Sequence, residues 1–199
     1  MRKATDLIGR RVITQTTGEI IATIRDLVFD PQGRNVVAAL VDGGGLFGEQ
    51  RAVLWSSVIG IGDMIVVRGE QPIVSIKEQP DLDELVSQGI SVVGAPVVSE
   101  SGQRLGIVSD VLISAAGEVI GFEIGMGWLS FSKNKFLPAS QVTTIGRDAI
   151  IASATELMTV DEARRERESV LAESLGSQEA PPLRERAVGM ETVGEEERV

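Results

Sequence analysis

Gly18-Glu19-Ile20-Ile21-Ala22-Thr23-Ile24-Arg25-Asp26-Leu27-Val28-Phe29-Asp30, closed by Gly33, returns 84 residues later as Gly102-Gln103-Arg104-Leu105-Gly106-Ile107-Val108-Ser109-Asp110-Val111-Leu112-Ile113-Ser114, closed by Gly117. Two Gly-to-Gly frames of one length, each with Asp at the same place, identify an internal repeat, and a repeat decides architecture before any local reading does. The chain is read as two copies of one small domain.

Working outward, Leu7-Ile8-Gly9-Arg10-Arg11-Val12-Ile13-Thr14 is a β-prone run, and Thr16-Thr17-Gly18-Glu19 supplies a turn. A strand is expected over Glu19 to Asp30, and Asp30-Pro31-Gln32-Gly33 is a turn signal, with Pro setting φ at its second position. Further strands are expected over Asn35 to Val41, Arg51 to Trp55 and Met64 to Arg68. The second copy answers with Val92-Val93-Gly94, a turn at Ser101-Gly102, Val119 to Gly125 and Lys135-Phe136-Leu137-Pro138, while Val142 and Ile145-Gly146 align with Val58 and Ile61-Gly62. Short, closely spaced strands without helical periodicity predict antiparallel barrels or half-barrels. In the long strand of each copy, apolar residues fall on both parities around Asp26 or Asp110. Strict alternation would send one set into water, so a bulge near the Asp is expected.

Pro80 to Gly89 predicts a short connecting helix, with Asp81 as its cap and Gly89 as its left-handed stop. Thr159-Val160-Asp161-Glu162 matches a capping box, and Val160, Ala163, Val170, Leu171 and Leu175 form a narrow apolar stripe behind it. The expected organisation is therefore a first repeat over 1–72, a linker with a helix over 73–90, a second repeat over 91–157, a C-terminal helix over 158–175 and a disordered acidic tail over 176–199.

Composition narrows the chemistry. Among 199 residues there is no Cys and no His, which removes disulfides, thiolate ligands, the usual general base and the commonest transition-metal ligand. Aromatics are 4% and Tyr is absent, so Val, Ile, Leu and Ala must fill the cores. Net charge is −10, and from Glu156 onward 12 acids face 6 arginines, so the tail carries more than half of it. An acidic chain is a poor nonspecific nucleic-acid binder. With no apolar run of signal-peptide or membrane-spanning kind, the chain reads as cytoplasmic.

These residues resemble the PRC-barrel family. The match is carried by Leu7-Ile8-Gly9 with Gly18 through Asp30, and by Val92-Val93-Gly94 with Gly102 through Ser114. It covers about Ala4 to Arg68 and Ser91 to Ala154. The resemblance implies an all-β fold of two small PRC-type barrels in tandem. It also implies docking onto larger assemblies, since such barrels occur in the photosynthetic reaction-centre H subunit and in a ribosome-maturation factor.

Candidate sites follow from both readings. Gly43-Gly44-Gly45-Leu46-Phe47-Gly48 and Gly125-Met126-Gly127-Trp128-Leu129-Ser130-Phe131 are hairpins with apolar residues between glycines. Leu46, Phe47, Met126, Trp128, Leu129 and Phe131 either dock in a partner's groove or fold back to plug a barrel end. Asp26 and Asp110 lie in different copies without His or Cys beside them and are read as structural. The glycine runs lack the context of a phosphate loop. Arg2-Lys3 with Arg10-Arg11, and Lys133-Asn134-Lys135, are the basic clusters of the barrels, read as solvated faces rather than as contacts to lipid or RNA. No catalytic, cofactor or metal site is expected. The leading expectation is a non-enzymatic adaptor for a protein assembly. A ribosome- or RNA-associated factor and a peripheral membrane or photosynthetic-complex protein stand as alternatives.

Overall fold

A computed structural model of the chain describes residues 1–43, 49–69, 71–125, 135–159, 162 and 165. Met1–Arg164 forms one compact unit. Its first half contains β1 (Arg2–Lys3), β2 (Arg11–Thr14), β3 (Ile20–Phe29), β4 (Val36–Val41), β5 (Arg51–Leu54), β6 (Val58–Ile61), β7 (Ile65–Val67) and β8 (Ile73–Ser75). The helix α1 (Pro80–Ser87) follows. The second half contains β9 (Pro96–Ser99), β10 (Arg104–Ile113), β11 (Val119–Gly125), β12 (Lys135–Pro138), β13 (Val142–Ile145), β14 (Ile150–Ala152) and β15 (Met158–Thr159).

Each half curls into a half-barrel with the same strand order, β6-β7-β2-β3-β4-β5-β8 in one and β13-β14-β9-β10-β11-β12-β15 in the other. The duplication expected from the Gly-to-Gly frames is thus a duplication of topology. The purely antiparallel sheet is not what forms: β2 pairs β7 in parallel, and β9 pairs β14 in parallel. The hairpin partner β3 takes one edge of β2, and the other edge receives the second strand of a later hairpin, which runs the same way.

The expected bulge is present in both copies. Pairing shifts register between Ile24 and Asp26 against β4, and between Val108 and Asp110 against β11. The extra residue is Arg25 in one copy and Ser109 in the other. Inward positions therefore change parity: Ala22 and Ile24 before the bulge join Leu27 and Phe29 after it in one core, and Val108 joins Val111 and Ile113 likewise.

Two local expectations change. Leu7-Ile8-Gly9 does not open a strand: Thr5–Leu7 is a 3-10 turn, Leu7 is fully buried, Ile8 is exposed, and Gly9 has φ +82°. The turn drops Leu7 into the core before β2 begins. Asp81 does not cap α1 either. Gln79 precedes the helix without a side-chain cap, Pro80 occupies the first helical turn where its missing N–H costs nothing, and Asp81 and Asp83 sit in that turn as favourable charges. Gly89 does carry φ +63°. Leu82, Leu85 and Val86 of α1 lie on Val28, Ala38, Ala52 and Ile76, so the connector covers the outer face of the first sheet.

One core runs through both copies. They meet where the β3–β4 and β10–β11 hairpins turn. Val36 N–H donates to Gly117 C=O at 2.8 Å, and Val119 N–H donates to Arg34 C=O at 2.7 Å. Val36 and Val119 hold equivalent places, opposite Phe29 and Ile113. The contact is therefore a reciprocal one about a local twofold, the arrangement of a symmetric dimer within one chain. Side chains at this contact are complementary rather than equal. Ala39 lies opposite Leu27 where Phe122 lies opposite Val111, and Trp55 has Ala139 as its counterpart after β12. Each half places a large residue where the other has alanine, and all four are buried in the joint core.

Beyond the second sheet, β15 pairs β12 as β8 pairs β5. Thr159 then closes the expected capping box: its N–H and hydroxyl donate to Glu162 Oε2 at 2.8 and 2.9 Å, and Glu162 N–H donates to Thr159 Oγ1 at 3.3 Å. Glu162 and Arg165 are helical. The remainder of the expected C-terminal helix and tail lies outside the described residues.

Candidate interaction surface

The interaction residues expected from sequence, Leu46, Phe47, Met126, Trp128, Leu129 and Phe131, all lie outside the described residues. What the structure does place is a segment already docked on a sheet edge. β1 runs antiparallel to the second half of β10, with Arg2 opposite Ile113 and Lys3 opposite Leu112. Ala4 N–H donates to Val111 C=O at 2.8 Å. Thr5 N–H donates to Asp110 Oδ1 at 3.2 Å, and the Thr5 hydroxyl donates to Asp110 Oδ2. The N-terminus of the first copy is thereby a strand of the second copy's sheet.

Electrostatics fixes this segment. Asp110 and Glu123 face each other across β10 and β11 and are 5% and 7% exposed. Two buried carboxylates side by side repel, and each needs compensation by a cation or donors. Lys3 Nζ lies 2.7 Å from Glu123 Oε2 and 4.0 Å from Asp110 Oδ2. The hydrogen bond to Glu123 raises the Lys3 pKa above the ordinary value of 10.5. Partial burial opposes the shift, and the charges of Glu123, Asp110 and Asp6 add to it.

The two aspartates singled out by the repeat are not brought together. Asp110 holds Thr5 and its own neighbour, Val111 N–H, at 2.8 Å. Asp26 is exposed and accepts from Leu27 N–H at 2.8 Å, the same self-contact at the same bulge. Leu40, opposite Asp26, stands where Glu123 stands opposite Asp110. No group of three or more candidate ligands able to hold a metal ion occurs among the described residues.

The first basic cluster is largely engaged within the chain. Arg2 donates to Ile61 C=O at 2.5 Å, Arg10 donates to the carbonyls of Asp6 and Gly62, and Lys3 is paired as above. Lys133 and Asn134 of the second cluster lie outside the described residues.

In copy one the matching edge carries no partner strand among the described residues. β3 pairs β2 over Ile20–Thr23 and β4 over Ile24–Phe29, so among the described residues Leu27–Phe29 have a partner strand on one side only. Beside them is a groove of about 240 Å³ walled by Asp26, Val28, Phe29 and Asp30 on one flank and by Gly89, Ile90 and Val92 on the other.

The sequence places Lys3 in a basic cluster read as a solvated face, whereas it is bonded to Glu123, and Thr5 and Glu123 are not singled out there at all. A two-residue strand has no periodicity to detect, but the departure between the copies was visible: an acid occupies an otherwise apolar strand in Val119 to Gly125. Gly33 and Gly117 were read as turn glycines, which they are, with φ +65° and +90°. They also face the opposite copy: a Cβ on Gly33 would overlap Ile145, and one on Gly117 would overlap the Trp55 indole.

No helix among the described residues is long and apolar enough to cross a membrane. Comparison with curated proteins gives no match. The PRC-barrel domain family matches residues 1–71 and again residues 89–158, spans that hold most strands of the two half-barrels described above, and the chain belongs to the PRC-barrel family.

Proposed function

We propose that the protein is a non-enzymatic interaction module that contributes two fused PRC-barrels to a protein assembly. The observation that carries this reading is the docked N-terminal strand: a barrel edge in this chain holds an extended segment by backbone pairing, a hydroxyl and an ion pair. Strand addition is a general mode of protein recognition, with affinity from main-chain bonds and selectivity from side chains. The buried acids Asp110 and Glu123 support the same reading, because their described contacts join parts of the fold.

The test is cross-linking of the tagged full chain in extract of its source cells, followed by reconstitution with the purified partner. A saturable, stoichiometric complex that survives moderate salt is the expected result. Turnover by the purified chain would contradict the proposal. Binding that collapses between low and moderate salt would move it to a nucleic-acid partner. Replacing Trp128 and Phe131 by Ser then separates the two hairpin readings: lost association with intact folding assigns docking, and lost folding assigns a plug.

A further inference from the structure

We infer that the open edge Leu27–Phe29 of the first barrel is a second strand-addition site, and that its occupant is an extended basic segment of the form Arg-Lys-x-Thr/Ser. This rests on the interaction-module reading and deepens it. The two barrels share topology, bulge and turn, yet their equivalent edges differ in occupancy. On β10, Leu112 and Ile113 pair with Lys3 and Arg2. On β3, the equivalent Val28 and Phe29 have no strand on that side among the described residues.

The chemistry of the empty seat follows from the filled one. Thr5 reaches both oxygens of Asp110. The equivalent Asp26 uses Oδ1 on Leu27 N–H, and its Oδ2 has no partner among the described residues. A hydroxyl two residues after the basic residue of an antiparallel segment would meet it. Leu40 replaces Glu123, so the basic side chain lays its apolar stem on Leu40 and brings its charge to Asp26. At the far end Asp30 stands where the neutral Ser114 stands, adding negative charge beside the residue that precedes the lysine. Ile90, Val92 and Ile145 supply an apolar wall. Pro31 ends the edge, which limits pairing to a segment as short as β1.

The probe is a capped synthetic peptide, Met-Arg-Lys-Ala-Thr-Asp-Leu, the sequence of residues 1–7. It is titrated into isotope-labelled full-length protein and followed by amide NMR. Expected are saturable shifts at Leu27–Phe29 and Gly89–Val92. Asp26→Asn, in a protein whose spectrum stays dispersed, should weaken binding about tenfold, the size of one charge-assisted hydrogen bond. A peptide with Glu for Lys should behave likewise. No saturable shift up to about 1 mM peptide overturns the inference. So do shifts confined to Leu112 and Ile113, which would mean displacement of β1. Shifts at Leu27–Phe29 on removing residues 176–199, without peptide, would give the seat to the chain's own tail and equally overturn it. If the peptide fails while the full chain still forms a stoichiometric complex, the edge is refuted and the module reading stands.

Discussion

Gly117 of the second barrel lies directly against the indole of Trp55 in the first, so closely that any β-carbon at Gly117 would overlap Nε1 and Cδ1 of the ring. Trp55 Nε1 is buried without a hydrogen-bond partner among the described residues. The glycine thus serves two constraints, a turn at φ +90° and a close approach between halves.

Gly117→Ala should therefore cost far more than an ordinary turn glycine. Left-handed strain of about 1–3 kcal/mol adds to overpacking of about 1–3 kcal/mol, giving a loss of about 2–6 kcal/mol. Gly102→Ala is the control: its φ is +84° but nothing lies within 4 Å of the added carbon, so only the strain remains. Denaturant midpoints of the two variants check the difference.

Asp110 and Asp26 hold the same bulge but not the same stake in stability. Asp110→Ala strands the Thr5 donors and removes the second carboxylate beside Lys3, which keeps its bond to Glu123, and this predicts a loss of about 1–3 kcal/mol. Asp26→Ala removes one exposed contact and should cost under about 1 kcal/mol. Thermal melts of both proteins test the ranking.

The Lys3 clamp has a defined pH dependence. Its folded pKa is raised, so the stabilisation is fully present below the ordinary lysine value of 10.5 and is lost as pH rises through the raised value. Lys3→Met should remove that alkaline loss, and it should lower stability at neutral pH only modestly because the lysine is 43% exposed. Equilibrium unfolding across this alkaline window, compared between the two proteins, reads both effects.

Much of the fold was legible because duplication doubles every weak signal. Glycine frames around Asp26 and Asp110 gave the repeat, mixed parity gave the bulge, and Thr159 with Glu162 gave the cap. The parallel β2–β7 and β9–β14 pairings were not legible, since periodicity along a strand carries nothing about the direction of its neighbour. Asp81 misled because capping preference was weighed without Pro80, whose fixed φ starts the helix two residues earlier, with Gln79 at the cap position. The docked strand escaped for a different reason. Lys3 and Thr5 are unremarkable in sequence, and only the fold brings them 120 and 105 residues along the chain to Glu123 and Asp110.

The shared core and the contacts at Gly33, Gly117, Val36 and Val119 predict that the two barrels unfold as a single cooperative body. Native-state hydrogen exchange at Ile24 and Val108 tests this most directly, because each amide makes the equivalent bond in its own barrel, to Arg10 and Ala95. The prediction is one opening free energy for both amides, lowered equally in both by Gly117→Ala. Opening of one barrel at a free energy lower by about 2 kcal/mol or more, with Gly117→Ala felt in only one half, would contradict it.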